Sequence, residues 1–92
     1  MDNKSKYTMR KNFPKALDLH GLTTQQAFNK VLMFLKVNKM IGRTHCKIIT
    51  GASGIMRKDF YHWTETPVMK PYVGNVKKAH EDGAYLVRLK DN

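Results

Sequence analysis

The sequence contains one cysteine, Cys46, and only seven acidic residues among its 92. A single cysteine cannot form an internal disulfide and cannot build a cysteine-rich zinc site. No apolar run approaches the ~20 residues that a membrane-spanning helix needs. The opening residues, MDNKSKYTMRKNF, lack the apolar segment of a secretory signal. We therefore expect a cytoplasmic protein with no disulfide and no membrane anchor.

Basic residues dominate the charge. The chain has 17 lysines and arginines, a formal net charge of +10 and an isoelectric point near 10.0. A strongly basic protein attracts polyanions, so this balance favours DNA or RNA as the partner. A basic surface that is only solvated is the alternative. An apolar content of 41% is sufficient for a folded core, and a chain of this length forms one small domain that buries about 60–65% of its unfolded surface.

The pattern of apolar residues predicts a flexible basic tail over residues 1–13 and one domain over 14–92. Within that domain Thr23 and Gln26 have the spacing of a helix-capping box, and Gly42 is predicted to end the helix. The predicted elements are a strand over Ala16–His20, a helix from Thr24 to Asn38 or Met40, a strand over His45–Thr50, a helix over about Ile55–Glu65, and strands over Tyr72–Lys77 and Ala84–Lys90. This order is βαβαββ. It predicts an α/β (α+β sandwich) domain with a four-stranded mixed sheet, in which the first two strands are parallel and the last two antiparallel.

The stretch Leu17-Asp18-Leu19-His20-Gly21 carries the first candidate site. Side chains two apart on a strand point to the same face, so Asp18 and His20 share one face just before a glycine turn. The second predicted strand also ends at a glycine, Gly51. Parallel neighbouring strands end at the same edge of a sheet, where α/β proteins bind their ligands. The two glycine turns are therefore expected to lie side by side.

The second turn leads into a helix, whose first N–H groups and dipole favour an anion. Arg57 and Lys58 lie in the first turn of that helix, where a phosphate would explain two cations. An acid, an imidazole, a loop of small residues and a basic helix start therefore converge on one predicted site.

These motifs resemble those of the small MutS-related (Smr) domain family. The segments LDLHGLT at 17–23 and IITG at 48–51 resemble its LDLHG motif and the start of its T-G-x-G loop. GIMRKDFYHW at 54–63 resembles its G-x-L-R…W helix, and AYLVRLK at 84–90 resembles its closing strand. The resemblance covers about residues 14–91. It implies a fold similar to the C-terminal domain of translation initiation factor three.

The resemblance also implies nucleic-acid binding and endonuclease activity on DNA or RNA, for some members at stalled ribosomes. The motifs carry over Asp18 and His20 as catalytic residues, with Gly21, Thr50 and Gly51 beside them. The full set of candidate phosphate- or nucleic-acid-binding residues is Gly21, Thr50, Gly51, Ser53, Gly54, Arg57 and Lys58. Two loops are shorter than the family pattern: Gly51-Ala52-Ser53-Gly54, and the turn at Asp82-Gly83-Ala84.

The predicted chemistry is metal-independent cleavage of a phosphodiester, with no cofactor and a monomeric protein. An imidazole exchanges protons near neutral pH, which suits His20 as general base or acid. On RNA the nucleophile would be the ribose 2′-OH, and Asp18 would orient or support the imidazole. A metal site is the weaker reading, because one Asp and one His supply two ligands where about four are usual. The principal alternative is a binding module for nucleic acid or the ribosome, in which the shortened loops mark lost activity.

Several other residues have structural explanations. Cys46, Phe60 and Trp63 are expected in the core, Tyr72 and Tyr85 are expected to pack on the last two strands, and Thr50 is expected to end its strand. The remaining histidines, His45, His62 and His80, are scattered and are expected at or near the surface, with His80 near the last turn. The alternatives for the two tyrosines and for Thr50 are base stacking and phosphate binding.

Overall fold

The computed structural model describes residues 12–51 and 54–91. Its elements are β1 (Ala16–Asp18), α1 (Thr24–Met40), β2 (His45–Ile49), α2 (Gly54–Thr64), a 3₁₀ turn (Lys70–Tyr72), β3 (Val73–Lys78) and β4 (Ala84–Leu89). The predicted βαβαββ order is confirmed, and each predicted boundary lies within two residues of the observed one. The predicted tail lies mostly outside the described residues. At its end, the Phe13 ring packs against Phe34, with ring centroids 5.9 Å apart.

The four strands form one mixed sheet in the order β1-β2-β4-β3. β1 is parallel to β2, and β4 is antiparallel to both β2 and β3. The predicted pairing is thus confirmed. The sequence pattern did not specify that the last strand would insert between β2 and β3. As a result β3 forms one edge of the sheet and β1 the other.

Both helices cover one face of this sheet. Leu17, Ile48 and Tyr85 are aligned across three strands on that face, and Ile48 and Tyr85 are fully buried. The same core cluster contains Val31 of α1 and Phe60 of α2. On the opposite face, the aligned positions Ala16, Lys47, Leu86 and Lys77 are exposed or half-buried. The domain is therefore a two-layer α/β sandwich.

The expected core residues are confirmed. Phe60 and Trp63 are buried, and Trp63 meets Phe28 of α1 edge to face with centroids 5.6 Å apart. Cys46 is buried in β2, and burial raises the pKa of its thiol to about 12. At neutral pH this residue is an uncharged core side chain.

Helix α1 begins and ends as its sequence predicts. The Thr23 hydroxyl accepts from the Gln26 N–H at 3.2 Å, and the Gln26 side-chain oxygen accepts from the Thr23 N–H at 3.0 Å. A threonine cap of this kind stabilises a helix by about 1 kcal/mol. At the other end Gly42 has a φ of 87°, a left-handed conformation that stops the helix.

A buried polar contact ties the end of α1 to the start of the domain. Asn38 is fully buried and its side-chain N–H donates to the Phe34 carbonyl at 2.9 Å. Its oxygen accepts from Nη1 of Arg43 at 3.0 Å, and the same Nη1 donates to the Pro14 carbonyl at 3.0 Å. This contact joins the end of the helix to the segment that leads into β1.

Candidate active site

The ends of three strands meet at one edge of the sheet. Asp18, the last residue of β1, is aligned with Ile49, the last residue of β2, which is aligned with Ala84, the first residue of β4. The Leu19 N–H donates to the Ile49 carbonyl at 2.9 Å, so the chain stays beside β2 after β1 ends. Neighbouring strands lie about 4.8 Å apart, so β1 and β4 are about 10 Å apart here. We call this end of the sheet, where β1 and β2 finish and β4 starts, the candidate edge.

Strand β1 is two residues shorter than predicted. It ends at Asp18 because the Asp18 carboxylate Oδ1 accepts a hydrogen bond from the His20 backbone N–H at 2.9 Å. An aspartate that bonds the backbone two residues ahead bends the chain into a turn. His20 therefore lies in the turn beyond β1. Both side chains are exposed at the candidate edge.

Gly21 completes this turn. Its φ is 80°, and a Cβ added here would meet no atom within 4 Å. The glycine is therefore required by backbone conformation and not by lack of space. The Leu22 N–H then donates to the Leu19 carbonyl at 3.2 Å, and the capping residue Thr23 follows. His20 is thus presented on a short turn between a strand and a capped helix.

Thr50 and Gly51 join β2 to the turn between β3 and β4. The N–H groups of Thr50 and Gly51 both donate to the Gly83 carbonyl, at 2.8 and 3.0 Å. The buried Thr50 hydroxyl donates to the Gly83 carbonyl at 3.2 Å and to the Gly51 carbonyl at 3.1 Å. The Gly51 amide, considered as a phosphate donor above, is already engaged within the fold. The contacts of both residues fix the position of this junction.

Arg57 lies one turn into α2 and points back to the sheet. Its Nε donates to the Tyr85 hydroxyl at 3.2 Å. This hydrogen bond is the main cause that raises the pKa of Arg57 above its ordinary value. A guanidinium remains a cation in proteins in any case. A guanidinium has five donors, and this bond uses one of them. Lys58 is exposed beside it, Gly54 is the first residue of α2, and Ser53 lies outside the described residues.

A pocket of about 180 Å³ opens at the candidate edge between α2 and the turn that joins β3 to β4. Arg57 and Tyr85 form one side, and Lys78, His80, Glu81 and Asp82 are among the residues that form the other. Glu81 makes an ion pair with Lys47 of β2. The hydrogen bond from Lys47 lowers the pKa of Glu81 below its ordinary value. The pocket is thus lined by charged residues of both signs, with the cations Arg57 on α2 and Lys78 on β3 and the acids in the turn.

The sequence predicted packing for Tyr85, with base stacking as the alternative, and gave no indication that its hydroxyl would contact Arg57. Its ring is buried and stacks on Phe60 with centroids 5.2 Å apart, which confirms the packing. Its hydroxyl, however, accepts the hydrogen bond from Arg57. The sequence did contain a signal for this contact. Tyr85 occupies a strand position where the pattern favours an apolar residue, and a buried tyrosine hydroxyl needs a polar partner.

In the part of the chain that the structure describes, no three His, Cys, Asp or Glu side chains are grouped as metal ligands. Within the same residues, neither helix has the length and apolar character needed to cross a bilayer. His45 and His62 are exposed, as expected.

The fold and this edge define a class: two-layer α/β domains with an exposed polar turn at the carboxyl ends of two parallel strands. Residues 17–90 match the sequence profile of the Smr domain. The chain belongs to the Smr domain family. The fold is similar to the crystal structure of the Smr domain of Thermus thermophilus MutS2, with a TM-score of 0.72 and 22% sequence identity over 84% of this chain and 99% of that chain. A comparison with curated protein sequences gives no significant match.

Proposed function

We propose that this Smr domain binds nucleic acid at the candidate edge and cleaves a phosphodiester there. The observation that carries the proposal is that an exposed imidazole and a fixed guanidinium occur at the same edge of the sheet. His20 lies on the turn after β1, and Arg57 is held by Tyr85 two strands away. The backbones of β1 and β4 are two strand spacings apart, about 10 Å. In the proposal, a phosphodiester and its two sugars span the candidate edge between His20 and Arg57.

In the proposed reaction on RNA, His20 accepts the proton of the ribose 2′-OH. The 2′-oxygen then forms a bond to phosphorus, and the bond from phosphorus to the 5′-oxygen breaks. The products are a 2′,3′-cyclic phosphate and a 5′-hydroxyl that takes up a proton. General acid–base catalysis of this kind contributes about 10²- to 10⁴-fold to a rate.

Asp18 acts on this reaction as a positioning residue. Its Oδ1 accepts a hydrogen bond from the His20 backbone N–H at 2.9 Å, and this contact fixes the backbone position from which the imidazole extends. Arg57, Lys58 and the first N–H groups of α2 supply positive charge for the phosphate oxygens. Ser53 and Gly54 remain predicted phosphate contacts on the loop before α2.

The test is cleavage of an end-labelled single-stranded RNA and a supercoiled plasmid, with and without a chelator. His20→Ala should lower the rate by about 10²- to 10⁴-fold on the substrate that wild type cleaves. His45→Ala is the matched control, because His45 is an exposed histidine at the opposite end of β2. Equal rates for wild type and His20→Ala would remove His20 from the mechanism.

A non-catalytic nucleic-acid-binding module is the second candidate, and one observation favours it. The Gly51 N–H donates to the Gly83 carbonyl, so this N–H of the shortened loop is not available to a phosphate. Under this alternative, all variants bind RNA or DNA with strong salt dependence, and none of them, including wild type, cleaves either substrate.

Other details remain predictions. RNA or DNA as the natural substrate, association with the ribosome, a cytoplasmic location and a monomeric state are expectations from the sequence and from the family. The two substrates in the assay above distinguish RNA from DNA.

A further inference from the structure

One face of α2 lines two pockets in succession. Arg57, Tyr61 and Thr64 are four and three residues apart and therefore lie in one row along the helix, and Glu65 directly follows its last residue, Thr64. Arg57 lines the pocket at the candidate edge. Tyr61 and Glu65 line a second pocket of about 290 Å³, which is bounded on the other side by residues 73–76 of β3 and at its end by Lys70.

The two pockets lie along the same strand. Residues 78–85 line the first pocket, where β3 ends and β4 begins, and residues 73–76 line the second, where β3 begins. Six residues of strand extend about 20 Å. We call the depression between α2 and β3, which contains both pockets, the α2–β3 groove. It starts at the candidate edge and leads away from it.

Tyr61 lies between the two pockets. Its ring meets the ring of Tyr85 edge to face, with centroids 5.0 Å apart, and Tyr85 lines the first pocket. Tyr85 is buried, whereas Tyr61 is 42% exposed, the highest value of any aromatic residue that the structure describes. Aromatic rings are usually buried because removing their large apolar surface from water is favourable. An exposed ring held by a buried one offers a rigid surface for another planar group.

Three cations lie along the groove, where they can contact the phosphates of a polyanion. Arg57 and Lys78 are at the end near the candidate edge, and Lys70 is at the far end. Two acids also line the first pocket: Asp82, and Glu81, whose carboxylate is paired with Lys47. Glu65 is the acid among the residues that line the second pocket. Single-stranded nucleic acids bind to surfaces that combine aromatic rings for the bases with cations for the backbone.

We propose that the α2–β3 groove binds the single-stranded nucleotides next to the cleaved phosphodiester, with an unpaired base stacked on Tyr61 and a backbone phosphate near Lys70. This inference rests on the proposed function and specifies its substrate as single-stranded. A base that is paired in a duplex has both faces stacked on its neighbours and cannot also stack on Tyr61.

The test is the affinity of the full chain for fluorescein-labelled oligouridine and oligothymidine, measured by fluorescence anisotropy. The measurement uses the His20→Ala background so that the probe is not consumed. Tyr61→Ala should weaken binding by about 5- to 100-fold, and Tyr61→Phe should stay within about twofold, because the ring supplies the stacking. Met33→Ala is the matched control, an exposed apolar residue of α1 that should leave the affinity unchanged.

Abasic probes separate stacking from a structural effect. An oligonucleotide without bases cannot stack, so Tyr61→Ala should bind it as well as its Tyr61 parent does. Lys70→Ala should weaken binding of both probes and lower the salt slope by about one, whereas Lys36→Ala on α1 should not. An equal loss on both probes for Tyr61→Ala, or no loss on either, would overturn the stacking role.

Failure of this inference is distinguishable from failure of the proposed function. If wild type cleaves neither the RNA nor the plasmid, the proposed function fails and takes the inference with it. If wild type cleaves either substrate, but the parent binds neither oligonucleotide or binds both independently of Tyr61, the inference alone fails.

Discussion

The hydrogen bond from the His20 backbone N–H to the Asp18 carboxylate allows the charge of Asp18 to be tested separately from its geometry. The bond joins two exposed residues over 2.9 Å, and a hydrogen bond of this kind stabilises the folded conformation by about 0.5–1.5 kcal/mol. Removing it with Asp18→Ala should lower the equilibrium constant for the ordered turn by about 2- to 12-fold, and the cleavage rate by up to the same factor. Asp18→Asn keeps a side-chain oxygen at the position of Oδ1, so it should stay within about threefold of wild type.

The assay is single-turnover cleavage of the end-labelled RNA at saturating protein, so that weaker binding does not enter the rate. Circular dichroism of each variant checks that the fold is retained. If Asp18→Asn loses as much activity as Asp18→Ala, the negative charge itself is required, and the argument that Asp18 acts by positioning the backbone is refuted. A full rate for Asp18→Ala would show that the turn forms without this bond.

Three further predictions concern stability. Asn38→Ala removes one buried hydrogen bond and one half-buried hydrogen bond from a charged group, and should lower the unfolding free energy in urea by about 2–4 kcal/mol, whereas Asn29→Ala on the exposed side of α1 should change it by less than about 0.5 kcal/mol. The raised pKa of Cys46, about 12, means that the unfolded chain releases its thiol proton first, so stability should fall as the pH rises above 9, by at most about 1.4 kcal/mol per pH unit relative to Cys46→Ala. Gly21→Ala should lower the unfolding free energy, measured in urea, by about 1–2 kcal/mol, because the φ of 80° is unfavourable for any residue with a Cβ. A steric clash does not contribute to this loss, since the added Cβ would meet no atom within 4 Å.

Local signals predicted most of the fold. The capping box at Thr23 and Gln26 involves residues three apart, and both bonds form as expected because nothing beyond the first turn of the helix is needed. The one notable boundary error, at β1, is also local. An alternating pattern cannot tell that Asp18 bonds the His20 backbone and ends the strand early.

The candidate site was predictable only in part. The exposed turn of Asp18 and His20 was visible as a motif. The engagement of Thr50 and Gly51 by Gly83 was not, because the partner lies more than 30 residues away and approaches only once β4 has inserted beside β2. The phosphate roles predicted for Ser53 and Gly54 remain predictions.

By itself, the sequence determined the order of the elements, the position of the glycine turn after Asp18 and His20, the basic charge and the family. These depend on side-chain periodicity, backbone preference and composition, which are properties of short segments. Only the tertiary structure decided that Tyr85 holds Arg57, that Asn38 ties α1 to the start of the domain, and that Tyr61 stays exposed beside β3. These contacts follow from the order of the strands and the packing of both helices on one face, and neither is encoded in any single segment.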